Sequence, residues 1–201
     1  MSIRAIVFDF GNVVGFFDHA RGIRKLQQHV KIELDDLKRA LLEHDLEDAY
    51  ESGKITTPEF FDQLRQSAGF QCSDEILRDC LSSIFWRNDE VCDLIPELAK
   101  DYPLYLLSNT CEIHADRFRQ DFADVFEQFR GLALSHEVGH RKPKPEIYRH
   151  VQSLSGYAAE EHLFIDDLES NVQGAKDCGW QGLTYNKQQP LRRQLQLLRS
   201  E

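Results

Sequence analysis

The run Ile3 to Phe8 is apolar except for Arg4, and it closes on Asp9-Phe10-Gly11-Asn12 before apolar residues resume at Val13-Val14. A short apolar run bounded by turn residues reads as a buried strand. The pattern returns at Pro103 to Leu107, which ends in Ser108-Asn109-Thr110, at Leu132 to Leu134, and at Leu163 to Ile165, which ends in Asp166-Asp167. Between the first two strands, from Phe16 to Asn88, the period is helical and no convincing strand appears. Leu34, Leu37, Leu41 and Leu42 form a stripe that Gly53 terminates. Thr56 or Thr57 with Pro58 opens a second helix carrying Phe60, Phe61 and Leu64, and Ser73 caps a third bearing Ile76, Leu77, Leu81, Ile84 and Phe85. Such stripes are the core of a helical bundle rather than a ligand surface.

From Val91 onward helices and strands alternate, the pattern of a parallel sheet with helices on both faces. Pro96 inside the periodic Val91 to Lys100 segment predicts a kink or a late helix start. The stretch from Pro190 to Glu201 reads as a short docking helix. The predicted fold is therefore α/β: a Rossmann-like parallel sheet core built from residues 1–15 and 89–201, with an inserted α-helical unit over residues 16–88.

Composition narrows the partners. Against 24 Lys and Arg the chain carries 34 acids, a net charge of -10 in 201 residues, which argues against a general binder of nucleic acid or anionic membrane. No apolar stretch approaches the ~18 residues of a membrane span, and no basic segment precedes an apolar one at the N-terminus, so a cytoplasmic protein is expected. Cys72, Cys80, Cys92, Cys111 and Cys178 are odd in number and lack CxxC spacing, as small buried residues in a reducing compartment would.

The chemistry sits at strand ends. In open α/β sheets ligands collect at the carboxyl edge, so Asp9 at the tip of the first strand is a candidate nucleophile or metal ligand, although aspartate near a glycine is also ordinary turn chemistry. Ser108 and Asn109 offer small polar donors at the same edge. Arg141-Lys142-Pro143-Lys144-Pro145 places a cation just before a helix start, where backbone N–H groups also favour an anion. Asp166 and Asp167, with Asn171 about one turn later, suggest a hard cation. His136-Glu137-Val138-Gly139-His140 matches the zinc-protease pattern H-E-x-x-H, but that chemistry needs both histidines on one helix face. Gly139 within the motif and Pro143 and Pro145 after it predict a loop.

Asp9-Phe10-Gly11-Asn12, Ser108-Asn109, Lys142-Pro143 and Asp166-Asp167 with Asn171 resemble, in this order, the four motifs of the haloacid dehalogenase superfamily. Phe8 to Val14 looks most like the subgroup of sugar-phosphate phosphatases that includes bacterial glucose-1-phosphate phosphatase and the phosphatase-like N-terminal part of epoxide hydrolase. The resemblance implies a cap domain over residues 16–88 that closes on the site and selects the substrate. It implies a Mg2+-dependent phosphatase acting on a small phosphorylated metabolite, a sugar phosphate. Asp9 would attack phosphorus and form an aspartyl-phosphate. Asp9, the Gly11 carbonyl and Asp167 would hold the metal, with Asp166 and Asn171 behind them. Ser108 and Asn109 would donate to the phosphoryl oxygens, and Lys142 would pair with Asp9 and phosphate.

One position departs from the family pattern. Most family phosphatases carry a second aspartate two residues after the nucleophile, which protonates the leaving alcohol; here that position is Gly11. The subgroup shares this glycine. A substrate with a good leaving group needs less help, a neighbour such as Asp18 or His19 could substitute, or turnover could be slow. Two other readings stand beside the phosphatase: a catalytically weak sensor that binds a phosphorylated ligand or a protein, favoured by Gly11, and a haloacid dehalogenase, which would have no use for the acid pair.

Overall fold

The computed structural model describes residues 3–41 and 44–198. Five strands, β1 (Ala5–Phe8), β4 (Leu104–Ser108), β5 (Phe129–Leu134), β6 (His162–Asp166) and β7 (Gln181–Thr184), form one sheet in the order β5-β4-β1-β6-β7, every neighbouring pair parallel. Parallel sheets are covered on both faces, so their strands run apolar without alternation. β1, β4 and β6 are buried at every position. One face packs Ile6, Phe8, Leu106 and Ile165 against Val91, Ile95 and Phe118; the other packs Val7, Leu107 and Phe164 against Ile147, Tyr148 and Trp180.

The order matters more than the strand count. β1 is central, with β4 and β6 on its two sides, so the residues that follow these three strands converge at one edge of the sheet. Helices α6 (Asp89–Asp101), α7 (Glu112–Asp121), α8 (Ala123–Phe126), α9 (Ser135–Val138), α10 (Pro145–Ser155) and α11 (Glu169–Asp177) connect the strands, and α12 (Leu191–Leu198) docks on α6. Docking of α12 uses the Leu191 N–H bonded to Glu90 at 2.8 Å and an Arg192–Glu97 ion pair; residues 199–201 of the expected tail helix lie outside the described residues. The helix α6 starts at Asp89 and runs through Pro96, so the late start does not occur.

The segment after β1 holds α1 (His19–Gln27), α2 (Leu34–Leu41), α3 (His44–Glu51), α4 (Thr57–Ala68) and α5 (Asp74–Ser82) around Leu26, Leu37, Phe61, Leu64 and Leu77. Start signals fall where the sequence places them. Thr56 and Glu59 form a reciprocal capping box at α4, Gly69 (φ 68°) closes that helix, and Ser73 caps α5. Two expectations change. The Leu34–Gly53 stripe divides into two helices, with Leu42 outside the described residues. The segment also contributes strands: β2 (Gly15–Phe17) and β3 (Phe85–Arg87) pair antiparallel at the two points where the chain leaves and rejoins the sheet. Three-residue strands carry too little periodicity to stand out from flanking helices.

Candidate active site

The loop after β1 is fixed by its own backbone. The Phe10 carbonyl accepts the N–H groups of Val13, Val14 and Gly15, and Asn12 N–H returns to the Gly15 carbonyl at 2.8 Å. Asn12 takes φ 57°, a left-handed conformation that asparagine tolerates better than most residues, and its side-chain amide donates to Asp167 Oδ2 at 3.1 Å. Asp9 is tied to β6 through its N–H to the Ile165 carbonyl, and its Oδ1 accepts the Phe10 N–H at 2.7 Å.

Lys142 joins the two acidic ends. Its Nζ lies 2.6 Å from Asp9 Oδ1 and 2.7 Å from Asp166 Oδ2, with the lysine side chain 1% exposed. Burial alone would lower its pKa; Asp9 and Asp166 outweigh that and raise it, so the ammonium stays charged. Asp166 is fully enclosed, and both of its oxygens are occupied: Leu168 N–H donates to Oδ1 and the Asn171 amide spans the pair. Asp167 is less enclosed and accepts from Asn12.

Carboxylate oxygens of Asp9, Asp166 and Asp167 all lie within 4.8 Å of one another, and among the described residues no other cluster of acidic, histidine and cysteine ligands is so close. Three carboxylates against a single ammonium leave negative charge in excess. Burial first, then Asp166 and Asp167, push the Asp9 carboxyl up to about 8 against the pull of Lys142, and Asp167 is raised for the same reasons. An all-oxygen, electron-rich donor set of this kind fits a hard divalent cation, whose charge would restore an ionised Asp9 at neutral pH.

Ser108 and Asn109 arrive at the same edge from β4 with different surroundings. Ser108 is buried and faces a cavity of about 60 Å3 lined also by Gly11, Phe17, His19, Glu51 and Asn109. The Asn109 side chain grips the lysine loop: Oδ1 accepts the Lys142 N–H at 2.7 Å and Nδ2 donates to the Lys142 carbonyl at 3.1 Å. Position 11 is shaped around its glycine. A Cβ there would stand 3.0 Å from Phe17 Cε1, so the ring fills space that an acidic side chain would need.

The two expected substitutes for the missing acid separate. Asp18 caps α1 by accepting the Ala20 N–H at 2.9 Å and pairs with Arg24, facing outward. His19 does face the cavity, with burial lowering its pKa, beside His114, which burial and then His19 push down to about 3. The H-E-x-x-H segment is a single helical turn, α9, rather than a loop, and Gly139 (φ 82°) ends it before His140, so the two histidines do not share a helix. Glu51 carried no local signal, and Arg141 stood out only as part of the basic stretch before α10, not as the partner of Glu51. Glu51 and Arg141 are ninety residues apart and meet only in the fold, with Arg141 Nη2 to Glu51 Oε2 at 2.8 Å.

A central strand tipped by an acid, flanked by strands tipped by a serine and an acid pair and joined by a buried lysine, forms a charged ligand site at the carboxyl edge of a parallel α/β sheet. The chain belongs to the haloacid dehalogenase-like hydrolase family, whose model matches residues 3–179. It is 30% identical over 188 residues to the D-ribitol-5-phosphate phosphatase of Bacteroides thetaiotaomicron, covering 89% of this chain and 90% of that protein. Among solved structures it is similar to a predicted HAD-like family hydrolase from Porphyromonas gingivalis, with TM-score 0.84, 28% identity and 100% of both chains covered. It is also similar to a HAD-family enzyme from Bacteroides thetaiotaomicron in complex with magnesium and inorganic phosphate, with TM-score 0.82, 27% identity, and 94% of this chain and 96% of that one covered. No described helix is long and apolar enough to cross a membrane.

Proposed function

We propose that this chain is a Mg2+-dependent phosphatase that hydrolyses a small phosphorylated metabolite of the sugar or polyol class through a covalent intermediate on Asp9. The observation that carries the reading is the contact of Lys142 with both Asp9 and Asp166 beneath a three-carboxylate cluster. The magnesium-bound relative and the ribitol-phosphate phosphatase support the metal and the substrate class.

Asp9 Oδ attacks phosphorus in line and the ester P–O bond breaks; water then attacks the aspartyl-phosphate and returns the carboxylate. Lys142 orients Asp9, draws its carboxyl toward the ionised form against the effect of burial, and offers its charge to the phosphoryl oxygens. Ser108 Oγ donates to those oxygens from the cavity wall. Asn109 sets the position of Lys142 and has one amide proton left for phosphate. Asp9, the Gly11 carbonyl and Asp167 would hold Mg2+, while Asp166 and Asn171 hold the lysine and the loop behind them. Bound there, a divalent cation would supply positive charge against the carboxylates and the phosphate. The helices of residues 16–88 act as the cap, and the cavity they close is lined by Phe17 and Phe85 together with polar Ser108, Asn109 and Thr110. A sugar or polyol suits a lining that mixes apolar rings with hydrogen-bonding groups.

Gly11 favours a second reading, in which a phosphorylated ligand is bound and scarcely turned over. Screening a panel of phosphorylated metabolites with and without Mg2+ separates the two. Mg2+-dependent phosphate release, abolished in Asp9→Asn, supports the phosphatase; tight binding without release supports the sensor.

A further inference from the structure

The cavity beside Gly11 is the space a leaving group would enter, and its ionisable lining is sparse. Among the described residues that line it, the ionisable side chains are His19, His114 and Glu51. Both imidazoles are held neutral by burial and therefore carry no readily released proton at neutral pH. Glu51 comes from the end of α3, with its side chain 14% exposed, and hangs over the same cavity as Gly11 and Ser108.

Its placement is enforced from both sides. Arg141 Nη2 holds Glu51 Oε2 at 2.8 Å and also binds Asp48, one turn earlier in α3. Two residues after Glu51, Gly53 (φ 64°) presses so closely on the His136 carbonyl that a Cβ would stand 2.2 Å from it. Glu51 is thus fixed to the lysine loop, not left free on a helix end.

We propose that Glu51 is the proton donor to the leaving oxygen and the base for the incoming water, replacing the acid that Gly11 lacks. The proposal rests on the phosphatase reading. In the first step Asp9 bonds to phosphorus, the ester P–O pair moves to the leaving oxygen, and that oxygen takes the Glu51 proton to depart as an alcohol. In the second, water bonds to phosphorus, gives a proton back to Glu51, and the Asp9–phosphorus pair returns to the carboxylate.

The electrostatics agree. Burial raises the Glu51 carboxyl to about 7; Arg141 and Lys142 oppose this, while Glu47 and Asp48 add to it. A donor poised near the working pH is what general acid–base catalysis requires. His19 and His114 face the same space as neutral neighbours.

The test compares 4-nitrophenyl phosphate, whose leaving group needs no proton, with primary alkyl phosphates such as ribitol 5-phosphate and glucose 6-phosphate, all with Mg2+. Wild type is expected to hydrolyse both classes. Glu51→Gln, which can still bond Arg141, is expected to lose about 10²–10⁴-fold on the alkyl esters. On the aryl ester it should release a burst of nitrophenolate near one per active site and then turn over slowly, because the phosphoryl-enzyme waits for its base. Equal losses without a burst, or no loss, overturn the proposal. So does a wild type that hydrolyses only the aryl ester, which leaves the phosphatase reading standing. No hydrolysis of either class by wild type overturns that reading and the proposal with it. Arg141→Met is the second variant: removing the cation should move the alkaline limb of alkyl-ester kcat/KM to higher pH, and an unmoved limb counts against Glu51 even if Glu51→Gln does not fold.

Discussion

Asn109 and Lys142 are joined by two hydrogen bonds through the asparagine side chain and the lysine backbone, one to the N–H and one to the carbonyl. The lysine ammonium therefore inherits its position from the end of β4, the strand beside β1, which ends at Asp9. Asn109→Ala should displace the lysine loop, lowering kcat more than it changes KM and costing about 1–3 kcal/mol of stability. Steady-state kinetics and denaturant unfolding check this; unchanged kinetics would show that Pro143 and its neighbours hold the lysine without help.

Asp9 and the metal should fail together. Asp9→Asn is expected to abolish turnover while the thermal transition remains cooperative, and EDTA should silence wild type until Mg2+ is restored. Appreciable EDTA-resistant hydrolysis would remove the metal from the reading.

The acid pair should divide by role. Asp166→Ala leaves Lys142 buried with Asp9 alone and frees the Asn171 amide, so a loss of about 3–5 kcal/mol is expected. Asp167→Ala, at a less enclosed position, should cost little stability and chiefly raise the Mg2+ concentration needed for half-maximal rate. Equal profiles in Mg2+ titration and unfolding would make the division untenable.

Phe17 should block a conventional acid at position 11. With Cβ 3.0 Å from the ring, Gly11→Asp alone should be impaired, whereas Gly11→Asp combined with Phe17→Ala should recover alkyl-ester hydrolysis. The double-mutant cycle should show a coupling of about 0.5–3 kcal/mol in kcat/KM. Additive effects would mean that the ring is not what excludes the acid.

His114 should make the fold sensitive to acid. Its Nε2 lies 3.2 Å from the Leu81 carbonyl, which it can bond only as an N–H donor, and its pKa falls to about 3 from an ordinary 6.5. Because the folded pKa is the lower one, the unfolded chain takes up the proton first. The His114 contribution is complete above pH 6.5 and is lost as pH falls toward 3, by at most about 1.4 kcal/mol per pH unit. Glu51, with its raised pKa, has the opposite sign, so the comparison must be made between wild type and His114→Gln. Wild type should lose ground to the variant as pH falls from 6 to 4; parallel unfolding curves would rule the effect out.

The central strands β1, β4 and β6 were legible because parallel strands bury both faces and therefore appear as unbroken apolar runs, whereas the half-buried edge strand β7, with Gln181 and Thr184, shows no such run and was missed. Asp9, Ser108, Lys142 and Asp166 were legible because each follows such a run or opens a helix, and strand ends are where α/β sheets collect ligands. What escaped was whatever depends on contacts between distant segments. The β2–β3 pair is too short to show a period, and the engagement of Asn109 with Lys142 depends on how β4 and the lysine loop meet. Glu51 looked like one more polar residue before a terminating glycine, since Arg141, which gives it a place, lies ninety residues away.

That terminating glycine has a consequence for evolution of the site. At Gly53 the turn after α3 meets the His136 carbonyl of α9 main chain against main chain, with no side chain between them to be trimmed. Leaving-group size should therefore change most readily through residues on the cavity wall, such as Phe17 and Phe85, while any side chain at residue 53 would shift the whole turn and carry Glu51 with it. Relatives that diverge in substrate are expected to vary the wall and keep the position of residue 53 bare.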